Sequence, residues 1–203
     1  MKGTFITLEG LDGAGKTTHL EWLAADLRAR GVELCVTREP GGTPAGEKLR
    51  AILLDPQQAL RPETETLLMF AARREHLDKV IVPALERGEW VLCDRFTDAS
   101  YAYQGGGSGV AWERIAALEA WVQQGLQPDL TLYFDVDPQA ARARARAVRR
   151  PDRFEREGED FQRAVRAAYL RRAAEHPERI RVIDSSRSIA EIQRELRDIL
   201  RNL

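Results

Sequence analysis

The sequence predicts an α/β protein, a three-layer α/β/α sandwich with a five-stranded parallel sheet at its centre. Two features carry that reading. Short apolar, strand-like runs alternate with helical patterns along the whole chain, as they do when each strand is followed by a crossover helix. The first run also leads straight into a glycine-rich segment that opens the first helix, a strand–loop–helix arrangement at home in such sheets.

Taken in order, residues 4–9 alternate into the first strand and residues 16–30 form the first helix. Residues 34–37 are the second strand, followed by helices at 44–54 and 63–87. Residues 90–94, WVLCD, are an apolar third strand ending in a carboxylate, and a helix at 111–124 follows. Residues 130–135 and 180–183 complete the sheet, with helices at 138–148 and 159–174 between them and one at 188–201 after them. Apolar segments recur from residue 5 to residue 203 with no low-complexity linker and no fixed-period repeat, so residues 1–203 are read as a single domain.

Composition narrows the function. Apolar residues make up 43% and charged residues 31%, which fits neither a disordered chain nor a membrane protein, and no apolar run reaches a membrane span. The first ten residues, MKGTFITLEG, lack the apolar block of a signal peptide, and a reducing cytoplasm is expected for Cys35 and Cys93 in their apolar stretches. The net charge of −1 supplies no global positive field for a nucleic acid polymer, so any phosphate site must be local. Only four of the 31 basic residues are Lys, at 2, 16, 48 and 79; one of them lies in the glycine-rich segment.

That segment, GLDGAGKT at 10–17, fills the template G-x-x-x-x-G-K-[ST] between a strand and a helix. Gly10, Gly13 and Gly15 let successive backbone N–H groups converge on a phosphate, and the helix N-terminus adds its positive end. Leu11, Asp12, Ala14 and Thr18 complete the expected ATP-binding loop. Lys16 is expected to reach the β- and γ-phosphates, and the Thr17 hydroxyl to ligate Mg²⁺ together with Asp94 at the end of the third strand. The loop alone does not separate kinases, ATPases and GTPase switches. No N-K-x-D quartet follows a later strand and no D-x-x-G follows the third, which disfavours a GTPase.

Four blocks then narrow the family: ITLEGLDGAGKTT at 6–18, TREPGGT at 37–43, LLMFAARREHL at 67–77 and DRFTDASYAYQGGG at 94–107. In this order the chain resembles the bacterial thymidylate kinases from residue 4 to the C-terminus. The resemblance implies a P-loop nucleoside-monophosphate kinase fold, a transferase that moves the γ-phosphoryl of ATP to dTMP with Mg²⁺, and a homodimer. It implies that Arg38 and Arg95 grip the dTMP phosphate, a task suited to bidentate guanidinium forks. It further implies that Phe70 stacks on thymine, that Arg73 bonds its carbonyl, and that Ser100, Tyr103 and Gln104 line sugar and base, with the Tyr103 ring crowding the 2′ position. Asp12 is expected to face the acceptor's 3′-hydroxyl. Ala99 stands where many relatives carry Ser.

Phe70, Arg73 and Arg74 share one helix face by spacing, whereas residues 105–107 read as a mobile turn and His19, His76 and His176 as bystanders. Gly13 stands where one branch of the family carries an Arg, so the arginine that meets the transferring phosphoryl group is expected from a lid at about 142–157, interrupted by Pro151. Arg149 and Arg150 are the first candidates and Arg153 the reserve. Two other readings stay open: a P-loop kinase for another nucleotide or nucleoside, and a non-catalytic, nucleotide-dependent regulatory protein.

Overall fold

The computed structural model describes residues 3–146, 153–154 and 157–201. Five strands, β1 (Phe5–Gly10), β2 (Leu34–Arg38), β3 (Trp90–Asp94), β4 (Leu130–Asp135) and β5 (Ile180–Asp184), form one sheet in the order β2-β3-β1-β4-β5, and all its pairs are parallel. The helices are α1 (Lys16–Ala29), α2 (Pro44–Leu54), α3 (Pro62–His76), α4 (Val82–Glu86), α5 (Thr97–Ser100), α6 (Trp112–Gln123), α7 (Pro138–Arg146), α8 (Glu159–Glu175) and α9 (Ile189–Leu200). Among the described residues, every predicted strand and helix is present, with bounds within two residues of those expected.

The period of two along each strand divides the core. Phe5, Val91 and Cys93 pack with Phe70, Leu77, Ile81, Leu85 and Ile115 from α3, α4, α6 and the turn between α3 and α4. Ile6, Leu8 and Leu92 belong to the other cluster, with Leu23 and Leu27 of α1 and Ile192 and Leu196 of α9. β1, in the middle of the sheet, is buried along its whole length, and the edge strand β2 is not.

Two segments depart from expectation. The predicted helix at 63–87 is interrupted by a π-helical turn at Leu77–Ile81 before α4 resumes. Pro83 offers no N–H to the preceding turn, and the wider turn accommodates that missing bond. Residues 105–107 are no mobile surface turn. They end a buried π-helical segment, Tyr101–Gly107, that lies flat against α8. A Cβ at Gly106 would stand 2.6 Å from that of Ala168, and one at Gly107 would meet the Phe161 ring at 2.5 Å. The glycines are there to permit close approach.

α5 is pinned from behind by a buried charge cluster. The Asp98 carboxylate accepts from Arg172 Nε at 2.9 Å and from Arg179 Nη1 and Nη2 at 2.7 and 2.9 Å, and Arg179 also donates to Thr131 Oγ1 at 3.0 Å. This ties the start of the third crossover, just after β3, to α8 and to the start of β5. Burial alone would push the Asp98 carboxyl up, but the hydrogen bonds and charges of Arg179 and Arg172 outweigh it and hold it below its ordinary value. Because the folded value lies below the unfolded one, the stabilisation is present above the unfolded pKa, about 4, and is lost as pH falls through the folded value. Replacing Asp98 by Ala takes the shared carboxylate from two buried guanidinia and is expected to cost about 3–5 kcal/mol in urea unfolding. The deficit of the variant relative to the parent should shrink as the pH drops below about 4.

Candidate functional site

Parallel pairing puts the carboxyl ends of the strands on one edge, where ligands bind in open α/β sheets. A cleft of about 840 Å³ opens there. Its floor is the glycine loop after β1. Lys16 is buried and its Nζ donates to the Gly10 and Leu11 carbonyls, both at 3.0 Å, with Asp12 Oδ1 at 3.9 Å. Burial and the nearby Arg95 charge lower the Lys16 pKa, opposed by Asp12, Asp94 and Glu9. Gly13 has φ 84°, a left-handed value, and a Cβ there would run into the Ala141 carbonyl and lie 3.0 Å from Ala145 N, so the loop is packed directly against α7.

β3 delivers the opposite wall. Asp94 ends the strand, and its Oδ1 is buried without a hydrogen-bond partner. Arg95 follows at φ 73°, one of two non-glycine residues with positive φ among those described. Its Nη1 donates to Gly10 O at 2.8 Å and to the Tyr169 oxygen at 3.3 Å, its Nη2 to Asp12 Oδ1 at 3.1 Å, and its Cζ lies 4.9 Å from the Tyr103 ring centroid. Glu9, at the end of β1, is fully buried and accepts from Phe96 N and from the Tyr169 hydroxyl, both at 2.7 Å. Burial, reinforced by the charge of Asp98, pushes its carboxyl up to about 7 against the pull of Arg95.

The far end is polar and buried. Arg73 Nε donates to Glu39 Oε2 at 2.8 Å and its Nη2 to Ser100 Oγ at 3.1 Å, while the other Glu39 oxygen lies 3.0 Å from His76 Nδ1. His76 Nε2 in turn pairs with Thr37 Oγ1 at 2.6 Å. His76 is therefore no bystander: it clamps the loop after β2 to α3. Gln104 Nε2 donates to Glu65 Oε1 at 2.7 Å. Phe154, within the segment expected to be the lid, meets the Tyr103 ring edge-on at 5.6 Å and lines the cleft.

Of the residues expected from sequence, Asp12, Gly13, Gly15, Lys16, Thr17, Thr18, Arg38, Arg73, Asp94, Arg95, Ser100, Tyr103 and Gln104 line this one cleft. Gly10, Leu11 and Ala14 stand behind the loop surface. Phe70 is not in the wall either: it is 1% exposed, and the Arg73 guanidinium, drawn over by Glu39, covers its ring at 4.6 Å. Arg74 points elsewhere, to Asp78 and the Val122 carbonyl. Arg153 is held by the Leu53 carbonyl and Glu65 rather than by the glycine loop, and Arg149 and Arg150 lie outside the described residues. Arg38 is half exposed and pairs with Glu47 at 2.9 Å.

Sequence reasoning missed Arg50, which lines the cleft, donates to Pro40 O at 2.8 Å, and has its pKa lowered by burial and by the charges of Arg38 and Arg95. Its position three residues after Glu47 on α2 was the available signal. Glu9 was also legible, as a carboxylate inside an otherwise apolar strand. Tyr169 was not, since its partner Glu9 is 160 residues away.

Comparison with known proteins agrees with this architecture. The family model described as thymidylate kinase matches residues 8–196. The chain is 62% identical to the thymidylate kinase of Nitrosospira multiformis over 194 residues, 96% of this chain and 95% of that protein. It is 60% identical to that of Cupriavidus metallidurans over 203 residues, all of both chains. The crystal structure of thymidylate kinase from Ehrlichia chaffeensis superposes with a TM-score of 0.81 at 34% identity, covering 99% of each chain. Family model, relatives and fold thus converge, and the chain belongs to the thymidylate kinase family.

Proposed function

We propose that this chain transfers the γ-phosphoryl group of ATP to dTMP, giving ADP and dTDP. The observation that supports it best is the single cleft that joins a glycine loop with Lys16 to a buried polar recess of Arg73, Ser100 and Gln104, with Arg38, Arg50 and Arg95 also in its walls. Donor and acceptor phosphates would meet between the loop and those arginines. Phosphoryl transfer asks a protein chiefly to position the reactants and neutralise charge, and no covalent intermediate with the chain is required.

The loop amides and Lys16 would cradle the ATP phosphates, Lys16 pre-aimed by its two carbonyl bonds. Arg95, assisted by Arg38 and Arg50, would hold the dTMP phosphate. Arg73, backed by Glu39, presents donors to a base carbonyl, and Ser100 and Gln104 stand beside it. The Tyr103 ring would crowd a 2′-hydroxyl. Asp12, paired with Arg95 and Lys16, would lie between the two nucleotides. Thr17 and Asp94 would hold Mg²⁺, and the buried, unpartnered Oδ1 of Asp94 fits that assignment. Held by Thr17 and Asp94, such an ion would supply positive charge to offset the negative charge of the donor phosphates. The lid role falls to Arg149 and Arg150, with Arg153 in reserve.

A homodimer is supported by Leu67 of α3 and Trp121 of α6, 56% and 76% exposed on helices joined by the Arg74–Val122 bond. No described helix is long and apolar enough to cross a membrane, and free Cys35 and Cys93 suit the cytoplasm.

ADP release measured across monophosphates and nucleosides tests the reading. dTMP should exceed dCMP and dGMP by orders of magnitude in kcat/KM, and thymidine turned over as well as dTMP would refute the phosphate clamp. Arg95→Ala should cost about 3 kcal/mol in kcat/KM for dTMP. Tyr103→Ala should admit the ribonucleotide, whereas Tyr103→Phe should keep the preference for deoxyribose. The double change Arg149→Ala, Arg150→Ala should lower kcat at least about 10²-fold with KM for dTMP within a few-fold, given that such arginines contribute about 10³- to 10⁵-fold. A parental kcat for this pair and for Arg153→Ala would remove the lid from the chemistry.

A further inference from the structure

Arg95 is costly to hold where it is. A left-handed backbone is unfavourable for a side chain of this size, and an outlier of this kind persists only where its surroundings over-determine it. The bonds around it come in two sets. Its own N–H donates to the Leu8 carbonyl at 2.9 Å, and its carbonyl accepts from Cys93 Sγ at 3.0 Å. The next N–H, that of Phe96, donates to Glu9 Oε1, and the other oxygen of the same carboxylate takes the proton of the Tyr169 hydroxyl. With that proton committed to Glu9, the lone pairs of the Tyr169 oxygen are left for Arg95 Nη1. Tyr169 is itself fixed by a stacked Tyr133 ring, with centroids 4.8 Å apart.

We propose that Glu9 and Tyr169 are positioning residues for Arg95, one carboxylate setting both the arginine's backbone through Phe96 N–H and its guanidinium through the Tyr169 hydroxyl. Neither residue lines the cleft, so neither touches a nucleotide. A carboxylate sealed inside a central strand is a liability that packing alone does not explain. Burial first, and then the repelling charge of Asp98, push the Glu9 carboxyl up against the attraction of Arg95. A leucine would fill the position without that strain but would give neither Phe96 N–H nor Tyr169 an acceptor.

This inference rests on the reading of Arg95 as the monophosphate clamp, and a double-mutant cycle separates the two. Steady-state kinetics are measured for the parent, Tyr169→Phe, Glu9→Gln, Arg95→Ala and the double variants, varying dTMP and ATP in turn, with thermal unfolding alongside. Tyr169→Phe removes one hydroxyl and should lower kcat/KM for dTMP about 10-fold, the scale of one bond to a charged group, with KM for ATP unchanged within about 2-fold. Glu9→Gln should do the same or more. In the Arg95→Ala background both changes should have no further effect on kcat/KM for dTMP, although any effect on unfolding temperature should persist. A Tyr169→Phe loss that survives in full without Arg95, or a parental kcat/KM in both single variants, overturns the positioning role while leaving the clamp intact. A parental kcat/KM for Arg95→Ala overturns the clamp, and the positioning role with it.

Discussion

Because β1 and β3 are hydrogen-bonded neighbours, with Leu8 opposite Asp94, the glycine loop and the Asp94–Arg95 step leave the sheet side by side. That pairing brings Arg95 within bonding distance of Asp12 while the chain between them, some eighty residues, is spent on the acceptor side. That stretch includes β2, α2 and α3, and it returns with Arg38, Arg50 and Arg73 around the same cleft. One strand order thus converts three distant segments into adjacent walls.

A second regularity concerns how a chain of net charge −1 sustains a basic site. Buried acids stand behind the functional side chains: Glu9 behind Arg95, Glu39 behind Arg73, Glu65 between Gln104 and Arg153, and Asp98 beneath α5. Each is itself fully or nearly fully buried, where an ionised carboxylate is tolerated only with partners. The acids therefore do two jobs. They offset guanidinium charges that would otherwise repel one another, and they fix the rotamers of side chains that must meet a ligand already oriented.

The sheet and most helices were legible because burial imposes periodicity on a single sequence. The glycine loop was legible because a backbone that points several N–H groups at one phosphate tolerates few residue types. Residues 101–107 were not, because a Gly-rich run looks alike whether it is solvated or pressed against α8; only Ala164, Ala168 and Phe161, some sixty residues away, decide it. His76 was misread for a similar reason. Its partners Thr37 and Glu39 come from a different strand end, and spacing within one helix carries no trace of them. Helical spacing does place Phe70 beside Arg73, as the structure has it, whereas the pull of Glu39 that lays Arg73 over the ring is a tertiary effect.

The contact of Gly13 with α7 has a steric corollary. The space that an arginine at position 13 would need is filled by the backbone of Ala141 and Ala145, and the left-handed φ of Gly13 would strain any larger residue. A side chain at position 13 and a docked α7 therefore exclude one another, and any substitution there has to displace the helix as well as strain the loop. The glycine thus sets the distance between the phosphate loop and α7, a spacing that no other residue type could keep.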